Sequence, residues 1–297
     1  IALLFVYRDT INNHIIENYV YTKQSQLLIN NEYAKSHSFE YVQTEDILEA
    51  DSLEDLINIV YTIVDSGVKN FTFYCDPNYI DCQKDIEFLS QETSYFSLIN
   101  NFVHPYNSYN KLLISTNGVN KIEINTEKVY SNEEIKYINY TIEQIKSQIL
   151  TDQMSIYDKI KAFHDYIINN TKYDENTANE IQNNIHYSEN NSHKATGVLM
   201  NHLAICSGYT DIMAIFLNSL GVKNYKIATE NHIWNAIYLD DKWYHLDLTW
   251  DDPVTNIGID MLLHEFFIIN EETLKTIEPD EHNYDKNIYK EIATSSN

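Results

Sequence analysis

The sequence predicts an α+β chain with an N-terminal α/β domain over 1–150 and a second domain over 151–297. In the first half, Leu53 to Ser66 has apolar residues at helical spacing and is followed by a strand-like run, Asn70 to Cys75. In the second half, a helical run that begins at Cys206 precedes several strand-like runs. The length of 297 residues suits two domains of ordinary size.

The composition excludes several classes of protein. Hydrophobic residues make up 43% of the chain and charged residues 22%, which are globular values rather than disordered, collagen-like or coiled-coil ones. The net charge of −24 repels phosphate backbones and anionic lipids, so we expect no nucleic-acid partner. The apolar run Ile1 to Tyr7 is too short to span a membrane. Because the chain begins with Ile1 rather than Met, we expect a processed form, in which a removed export signal leaves no trace.

A hairpin and a connecting helix complete the first domain. Lys111 to Ser115 and Lys121 to Asn125 read as strands, and the Asn117-Gly118 pair between them tolerates the positive φ of a tight turn. Ser131 then opens a helical run that continues to Leu150. We place the domain boundary after this helix, near Thr151.

The second domain opens with a helix and a long polar stretch. The helix has one apolar face, formed by Ile156, Ile160, Phe163 and Ile167. The polar stretch from Asn169 to Lys194 is predicted to be a surface excursion that covers or borders a site. The next helix runs from Cys206 to Leu220, where Gly221 supplies a left-handed C-cap, so Cys206 lies at its N-terminus.

Three strands follow, at Tyr225 to Thr229, His232 to Leu239 and Lys242 to Leu248. If Asp240 and Asp241 form a two-residue turn, Leu239 faces Lys242 and the register of the hairpin is fixed.

In that register, Asp247 lies opposite Trp234 and becomes the diagonal neighbour of His232. Trp243 and His245 project from the same face. An imidazole and a carboxylate at diagonal positions are within reach of a shared hydrogen bond, so we expect His232 and Asp247 to form one.

Cys206 is the candidate nucleophile. A helix N-terminus favours a thiolate through its unpaired N–H groups and the helix dipole. If the helix start packs against the hairpin, His232 takes the thiol proton and Asp247 orients the imidazole. The backbone N–H of Cys206 then supplies one oxyanion donor, and the sequence identifies no second.

Three sequence blocks carry these residues: Cys206-Ser207-Gly208-Tyr209, His232-Ile233-Trp234-Asn235, and Trp243 to Pro253, which reads WYHLDLTWDDP. Their order and residue types resemble the transglutaminase-like superfamily in its bacterial form. The match extends from about Ile156 to Pro253, and nothing comparable covers Ile1 to Leu150. The sequence departs from the family at the hairpin turn, often Asp-Gly in such proteins, and at Ile233, where Ala is common.

The resemblance implies a papain-like fold, in which the helix bearing the cysteine packs on an antiparallel sheet that carries the histidine and the aspartate. It also implies thiol chemistry on amide or acyl substrates through a covalent thioester. The catalytic residues would be Cys206, His232 and Asp247. We expect Trp234 and Tyr209 to bind substrate, with Trp234 as a lining of the cleft.

Plainer interpretations compete with these. Taken alone, Cys206 is interpreted as a small buried apolar residue. The register that brings His232 to Asp247 favours the interpretation of Cys206 as a nucleophile instead. His245, Trp243 and Trp250 are interpreted as structural. Cys75 and Cys82 form either a local disulfide, which suits an exported protein, or two reduced core thiols.

We expect no cofactor and no metal site. His186, His193 and His202 are separated by seven and nine residues, which fits no common zinc motif. Asp251-Asp252 lacks the alternating oxygen ligands of a calcium loop. The acidic balance is interpreted mostly as a solvated surface, and it would also favour basic partners or substrates.

The sequence therefore predicts a thiol-dependent acyltransferase that acts on protein or peptide amides. Two alternatives stay open: a cysteine peptidase or amidase that uses water as acceptor, and a binding or scaffold module without turnover. The N-terminal domain has no site of its own, and we expect it to bind a protein or cell-surface partner. We expect a secreted or cell-surface location.

Overall fold

The structure, a computed structural model, describes residues 39–42, 48–91, 97–183, 191–254 and 261–295. The predictions for Ile1 to Tyr7 and for His186 lie outside these residues. The described residues form two compact units, both of them discontinuous in sequence. The first contains 41–42, 48–91 and 111–127, and the second contains 39–40, 97–110, 128–183, 191–254 and 261–295.

The first unit has the predicted α/β character. Its elements are β1 (Glu49–Ala50), α1 (Leu53–Asp65), β2 (Asn70–Cys75), α2 (Cys82–Gln91), β3 (Tyr109–Thr116) and β4 (Lys121–Lys128). The strands form one sheet in the order β1-β2-β4-β3, with β1 parallel and β4 antiparallel to β2.

Local chemistry explains the ends of these elements. The Ser52 side chain accepts a hydrogen bond from the Asp55 N–H at 3.2 Å and starts α1. In the predicted hairpin between β3 and β4, Gly118 has a φ of 75°, and the Asn117 side chain accepts from the Lys121 N–H at 2.9 Å. Cys75 and Cys82 are joined by a disulfide, which leaves Cys206 as the free cysteine.

The second unit combines helices with a three-stranded antiparallel sheet. Its helices are α3 (Asn132–Ile149), α4 (Ile156–Asn170), α5 (Glu175–Gln182), α6 (Cys206–Ser219), α7 (Leu248–Asp251), α8 (Glu271–Ile277) and α9 (Lys290–Ala293). Its strands are β5 (Lys172–Tyr173), β6 (Leu203–Ala204), β7 (Asn224–Ala228), β8 (Ile233–Leu239) and β9 (Lys242–Leu246). β7, β8 and β9 form the antiparallel sheet, and β5 pairs with β6 in parallel. The predicted α+β class is confirmed.

Helix α6 lies at the centre of the core of the second unit. The apolar face predicted for α4 is buried, and its Phe163 ring stacks on the Phe216 ring of α6 at 3.8 Å. Helix α3 joins the same core through Ile138, Ile142 and Ile145. It therefore packs with the unit that follows it, although the sequence places it before the boundary near Thr151. The boundary near Thr151, as a boundary between two independently folding domains, stays a prediction.

The polar stretch from Asn169 to Lys194 contains regular structure as well as loop. Its described part includes β5 and α5. The Asp174 side chain caps α5 at the Thr177 N–H and also accepts a hydrogen bond from the Ser192 hydroxyl at 2.5 Å. The pairing of β5 with β6 ties the stretch to the segment that leads into Cys206. Among the described helices, none combines the length and apolarity needed to cross a bilayer.

Candidate active site

Cys206 is the first residue of α6, as predicted, and is half-buried. The Ile205 N–H just before it donates to the Ser192 carbonyl oxygen at 2.9 Å. Gly208 lies so close to the same oxygen that a Cβ at this position would be 2.4 Å from it. A larger residue would push the helix start away, so Gly208 is required for the position of Cys206.

The hairpin of β8 and β9 has the predicted register. Asp240 and Asp241 have φ values of 47° and 63°, the positive values that a type I′ turn requires of both central residues. Leu239 pairs with Lys242 as expected. Two aspartates therefore form this turn, at which Asp-Gly is common, because Asp tolerates the left-handed backbone conformation better than most residues.

The register brings His232 and Asp247 together. His232 directly precedes β8, Asp247 directly follows β9, and the His232 Nε2 lies 2.5 Å from the Asp247 Oδ2. Both side chains are buried. The Cys206 side chain lies close enough to His232 to act on the pKa of the ring through its hydrogen bonding and its charge. Because Nε2 faces the carboxylate, Nδ1 is the ring nitrogen left for the thiol.

The charges of this group favour an imidazolium. Burial is the largest single influence on His232 and disfavours its charged form. The attraction and hydrogen bond of Asp247, together with the hydrogen bond and charge of Cys206, outweigh burial and raise the pKa of His232 to about 10. For Asp247, burial acts in the opposite direction, and the charge and hydrogen bond of His232 hold the pKa of the carboxyl below its ordinary value.

Four N–H groups fix the Asp247 carboxylate. Its Oδ1 accepts hydrogen bonds from the backbone N–H groups of Thr249 at 2.9 Å and Trp250 at 3.3 Å, so Asp247 also caps α7. Its Oδ2 accepts from His232 and lies 3.0 Å from the Nε2 of His282. The carboxylate is thus held from the hairpin, from α7 and from the C-terminal segment.

Sequence reasoning missed His282 and Tyr173. His282 lies 35 residues after Asp247, and no short-range pattern links them. Tyr173 pairs with Ala204, two residues before Cys206, in the parallel ladder of β5 and β6. Burial, chiefly, and the nearby charge of Cys206 raise the pKa of Tyr173 to about 12. Strands of two residues leave no recognisable pattern in the sequence, so the pairing of β5 with β6 could not be predicted from it.

Trp234 and Tyr209 require a correction. Each is 1% exposed, so neither lines an open surface as expected. The Trp234 Nε1–H donates to the Nδ1 of His245 at 3.0 Å, and the Tyr209 hydroxyl donates to the Asp252 Oδ2 at 2.5 Å. The Trp234 ring packs on the rings of His232 and His282, and Tyr209 belongs to the hydrophobic core of the second unit. In this structure they support the site and offer no contact surface to a substrate.

His245 occupies a structural position, in agreement with its interpretation from the sequence. Its Nε2 lies 3.1 Å from the Oε2 of Glu271, while its Nδ1 accepts from Trp234. Burial, above all, lowers the pKa of His245. Both ring nitrogens are occupied, so His245 has none available for proton transfer.

The carboxylates of Asp251 and Asp252 make contacts within the protein. The Asp251 Oδ2 lies 3.1 Å from the Nε2 of His164, and Asp252 accepts from Tyr209. Of the three histidines considered from the sequence, His202 lies within the described part and its Nδ1 is 2.9 Å from the Asn170 carbonyl oxygen. His193 is also described and is half-buried.

Two clusters of the described residues have ligand atoms close enough to hold a metal ion. One cluster contains His164, Asp165 and His264, and the other contains His232, Asp247 and His282. Within each cluster the ligand atoms lie within 4.8 Å of one another. In the first cluster the Lys161 ammonium lies 2.8 Å from the Nε2 of His264 and competes with a cation. In the second, the Asp247 carboxylate already accepts four N–H groups.

A cleft of about 420 Å³ lies in the second unit, lined in part by His104, Ile142 and Ser219. No residue of the Cys206 site lines it. The size of this cleft alone does not indicate a reactive group, so the candidate active site is the group of residues around Cys206.

A thiol at a helix start, beside a histidine that pairs with a carboxylate, is the arrangement of papain-like cysteine enzymes. Residues 143–248 match the family model described as the transglutaminase-like superfamily, and this segment contains Cys206, His232 and Asp247. This match supports the transglutaminase-like superfamily for the segment 143–248 of this chain.

Individual relatives are distant. Mouse kyphoscoliosis peptidase is 22% identical over 152 residues, which cover 45% of this chain and 22% of the relative. A crystal structure of a TGase has 18% identity and a TM-score of 0.35, and the match covers 69% of this chain and 59% of that one. A candidate cysteine protease from Cytophaga hutchinsonii has 10% identity and a TM-score of 0.29, covering 52% and 65%. The chain thus spans about a fifth of the mouse relative.

Proposed function

We propose that this protein is a thiol enzyme that transfers acyl groups from protein or peptide amides. Cys206 is the nucleophile, His232 accepts and returns its proton, and Asp247 orients the His232 ring. The observation that carries the proposal is the position of His232, which has the carboxylate of Asp247 on one side and the thiol of Cys206 on the other.

The reaction follows from these contacts. With the Cys206 proton already on the Nδ1 of His232, the sulfur attacks the carbonyl carbon of the amide as a thiolate. As the C–N bond breaks, the leaving amine or ammonia takes the proton from His232, and a thioester remains on Cys206. His232 then takes a proton from an amine or a water molecule as this acceptor attacks the thioester. The C–S bond breaks, the acyl group leaves on the acceptor, and Cys206 and His232 return to their starting state.

The negative oxygen of the tetrahedral intermediate needs a donor. Among the described residues, the Cys206 backbone N–H makes no hydrogen bond, which is expected in the first turn of a helix. It therefore offers one oxyanion donor to a carbonyl bound at the sulfur.

Hydrolysis is the second candidate function. The observation that favours it is the mouse relative, whose name describes a peptidase. Both functions share the thioester and differ only in the acceptor, so they make the same demands on Cys206, His232 and Asp247.

The test compares wild type with Cys206→Ala and with Cys206→Ser. Incorporation of a labelled amine into a glutamine-bearing protein and hydrolysis of peptides are measured side by side, with products weighed by mass spectrometry. We expect at least one reaction in wild type and its loss in both variants. Equal rates in wild type and Cys206→Ala would remove the catalytic role and favour a non-catalytic module.

We also propose that the chain works in a secreted or cell-surface setting, where residues 1–150 bind a protein or cell-surface partner. The disulfide of Cys75 and Cys82 supports this, because such bonds persist mainly in oxidising compartments. Thiol titration of the denatured, unreduced protein should find one free thiol for the three cysteines. Three free thiols in protein isolated from its native source would contradict this location.

A further inference from the structure

We propose that His282 is a positioning residue of the candidate active site, and that its Nε2–H holds the Asp247 carboxylate in the orientation that aligns His232 with Cys206. The inference rests on the proposed function and adds a fourth residue to the same site. His282 does not touch the reacting atoms and acts through Asp247.

The hydrogen-bond geometry assigns the tautomer of His282. Its Nε2 lies 3.0 Å from the Asp247 Oδ2, and a carboxylate oxygen accepts, so Nε2 carries the proton. Its Nδ1 is buried and has no hydrogen-bond partner among the described residues. A proton on Nδ1 would therefore be a buried donor without an acceptor, which folded proteins avoid.

Aromatic rings fix the plane of the His282 imidazole. It stacks on Phe266 at 5.3 Å with an angle of 16° between the rings, and it meets the edge of Trp234 at 4.7 Å and 71°. Trp250 lies 5.4 Å away on a further side. With 4% of His282 exposed, the ring is closely packed, and its Nε2 points at Asp247.

The backbone that carries His282 is tied to the sheet through Glu271 of α8. The Tyr284 hydroxyl, two residues after His282, donates to the Glu271 Oε2 at 2.6 Å. The same oxygen lies 3.1 Å from the Nε2 of His245 on β9. His282 therefore approaches Asp247 from a segment that is fixed to the strand leading into Asp247.

Loss of the His282 donor should change Asp247 in a defined direction. After the opposing effect of burial and the contributions of His232, the hydrogen bond and charge of His282 help to lower the pKa of Asp247. Without them the carboxylate is held less firmly beside the His232 imidazolium, so the Cys206 thiolate forms only at higher pH and the acid limb of activity moves upward. The other titratable groups near Asp247 are His232, Tyr173 and His245.

The experiment compares His282→Phe, which keeps an aromatic ring but removes the donor, with His282→Gln, which keeps an N–H near the place of Nε2. The readout is the rate of Cys206 alkylation by iodoacetamide across pH, which needs no substrate. We expect His282→Phe to react about tenfold more slowly near pH 6, with its acid limb at higher pH, and His282→Gln to recover most of the rate. Folded His282→Phe protein with the wild-type profile would overturn the proposal.

A second measurement needs no variant. Nitrogen-15 spectra of histidine-labelled wild type should show His282 protonated at Nε2 and bare at Nδ1. The opposite tautomer would exclude donation to Asp247 and overturn the proposal, even if His282→Phe failed to fold.

These readouts separate the two proposals. If Cys206→Ala keeps its activity, the proposed function fails, whereas the tautomer and the alkylation profiles still decide the role of His282. If the enzyme is active but His282→Phe is indistinguishable from wild type, only the positioning role fails.

Discussion

Two clusters in the second unit have the same composition, a carboxylate between two histidines, yet different surroundings. His232, Asp247 and His282 are all buried. In the other cluster His164 is buried, while the side chains of Asp165 and His264 are 27% and 34% exposed.

The neighbours of each cluster decide what it can do. Both ring nitrogens of His164 face carboxylates, with Nδ1 2.9 Å from Asp165 and Nε2 3.1 Å from Asp251. His232 gives only Nε2 to a carboxylate and has Nδ1 left for the thiol of Cys206. A histidine–carboxylate pair is therefore insufficient for the chemistry, which also needs a ring nitrogen available to a nucleophile.

The largest expected difference between the clusters is in catalysis. Asp247→Asn should lower kcat/KM by roughly 10³- to 10⁴-fold, because the amide stabilises neither the charge nor the required tautomer of His232. The matched control, Asp165→Asn, should change kcat/KM by less than about threefold, since Asp165 touches no residue of the Cys206 site. The value of kcat/KM is measured on whichever amide reaction the wild type performs. Equal losses of kcat/KM in the two variants would contradict the distinction between the two clusters.

The next effect should be on stability, and it should fall on the other cluster. His164→Phe leaves Asp251, whose side chain is fully buried, without its histidine partner. We expect this to cost about 3 to 5 kcal/mol in the free energy of unfolding, measured by urea denaturation. Cys206 alkylation in the folded variant should stay within about twofold of wild type. A stable variant with a damaged thiol would reverse the roles of the two clusters.

The pH dependence of stability distinguishes His232. Its pKa is raised to about 10 in the folded protein, so the folded state holds a proton that the unfolded state releases near pH 6.5. The stabilisation is fully present below about pH 6.5 and is lost as pH rises toward 10, by roughly 2 kcal/mol or more. In His232→Gln this decline should be smaller across the same window. Parallel unfolding curves for the two proteins would contradict the raised pKa.

The smallest effect is expected for Lys161, at the exposed edge of the His164 cluster. Its ammonium lies 2.7 Å from Asp165, and its side chain is 39% exposed. Lys161→Met should cost at most about 1 kcal/mol, because solvent screens such a pair. Thermal unfolding at low and high salt measures this change in stability. A loss of stability well above about 1 kcal/mol at high salt would show that Lys161 has a buried role.

Local patterns in the sequence were enough to predict the contact of His232 with Asp247 and the position of Cys206 at a helix start. The turn at Asp240-Asp241 fixes the hairpin register, and the alternation of side chains then makes His232 and Asp247 neighbours. The start of α6 at Cys206 follows from its apolar periodicity and from Gly221 at its end. These features depend on residues close together in the chain, which is why sequence reasoning recovers them.

What the sequence could not show depends on distant segments. His282 reaches Asp247 from a turn that lies beyond α8, and Tyr173 reaches the site through a two-residue strand. The burial of Trp234 and Tyr209 likewise depends on what packs over them, such as the ring of His282 against Trp234. Aromatic residues beside a triad read equally well as cleft lining or as core until the covering segment is known.

The central claim is that His232 accepts the proton of Cys206, and thiol alkylation tests it most directly. Because Cys75 and Cys82 are bonded to each other, iodoacetamide reports on Cys206 in the unreduced protein. Near pH 6, wild type should react more than about tenfold faster than His232→Gln, and the gap should narrow above about pH 8.5. Superimposable rate profiles for the two proteins would contradict the contact on which the proposed function depends.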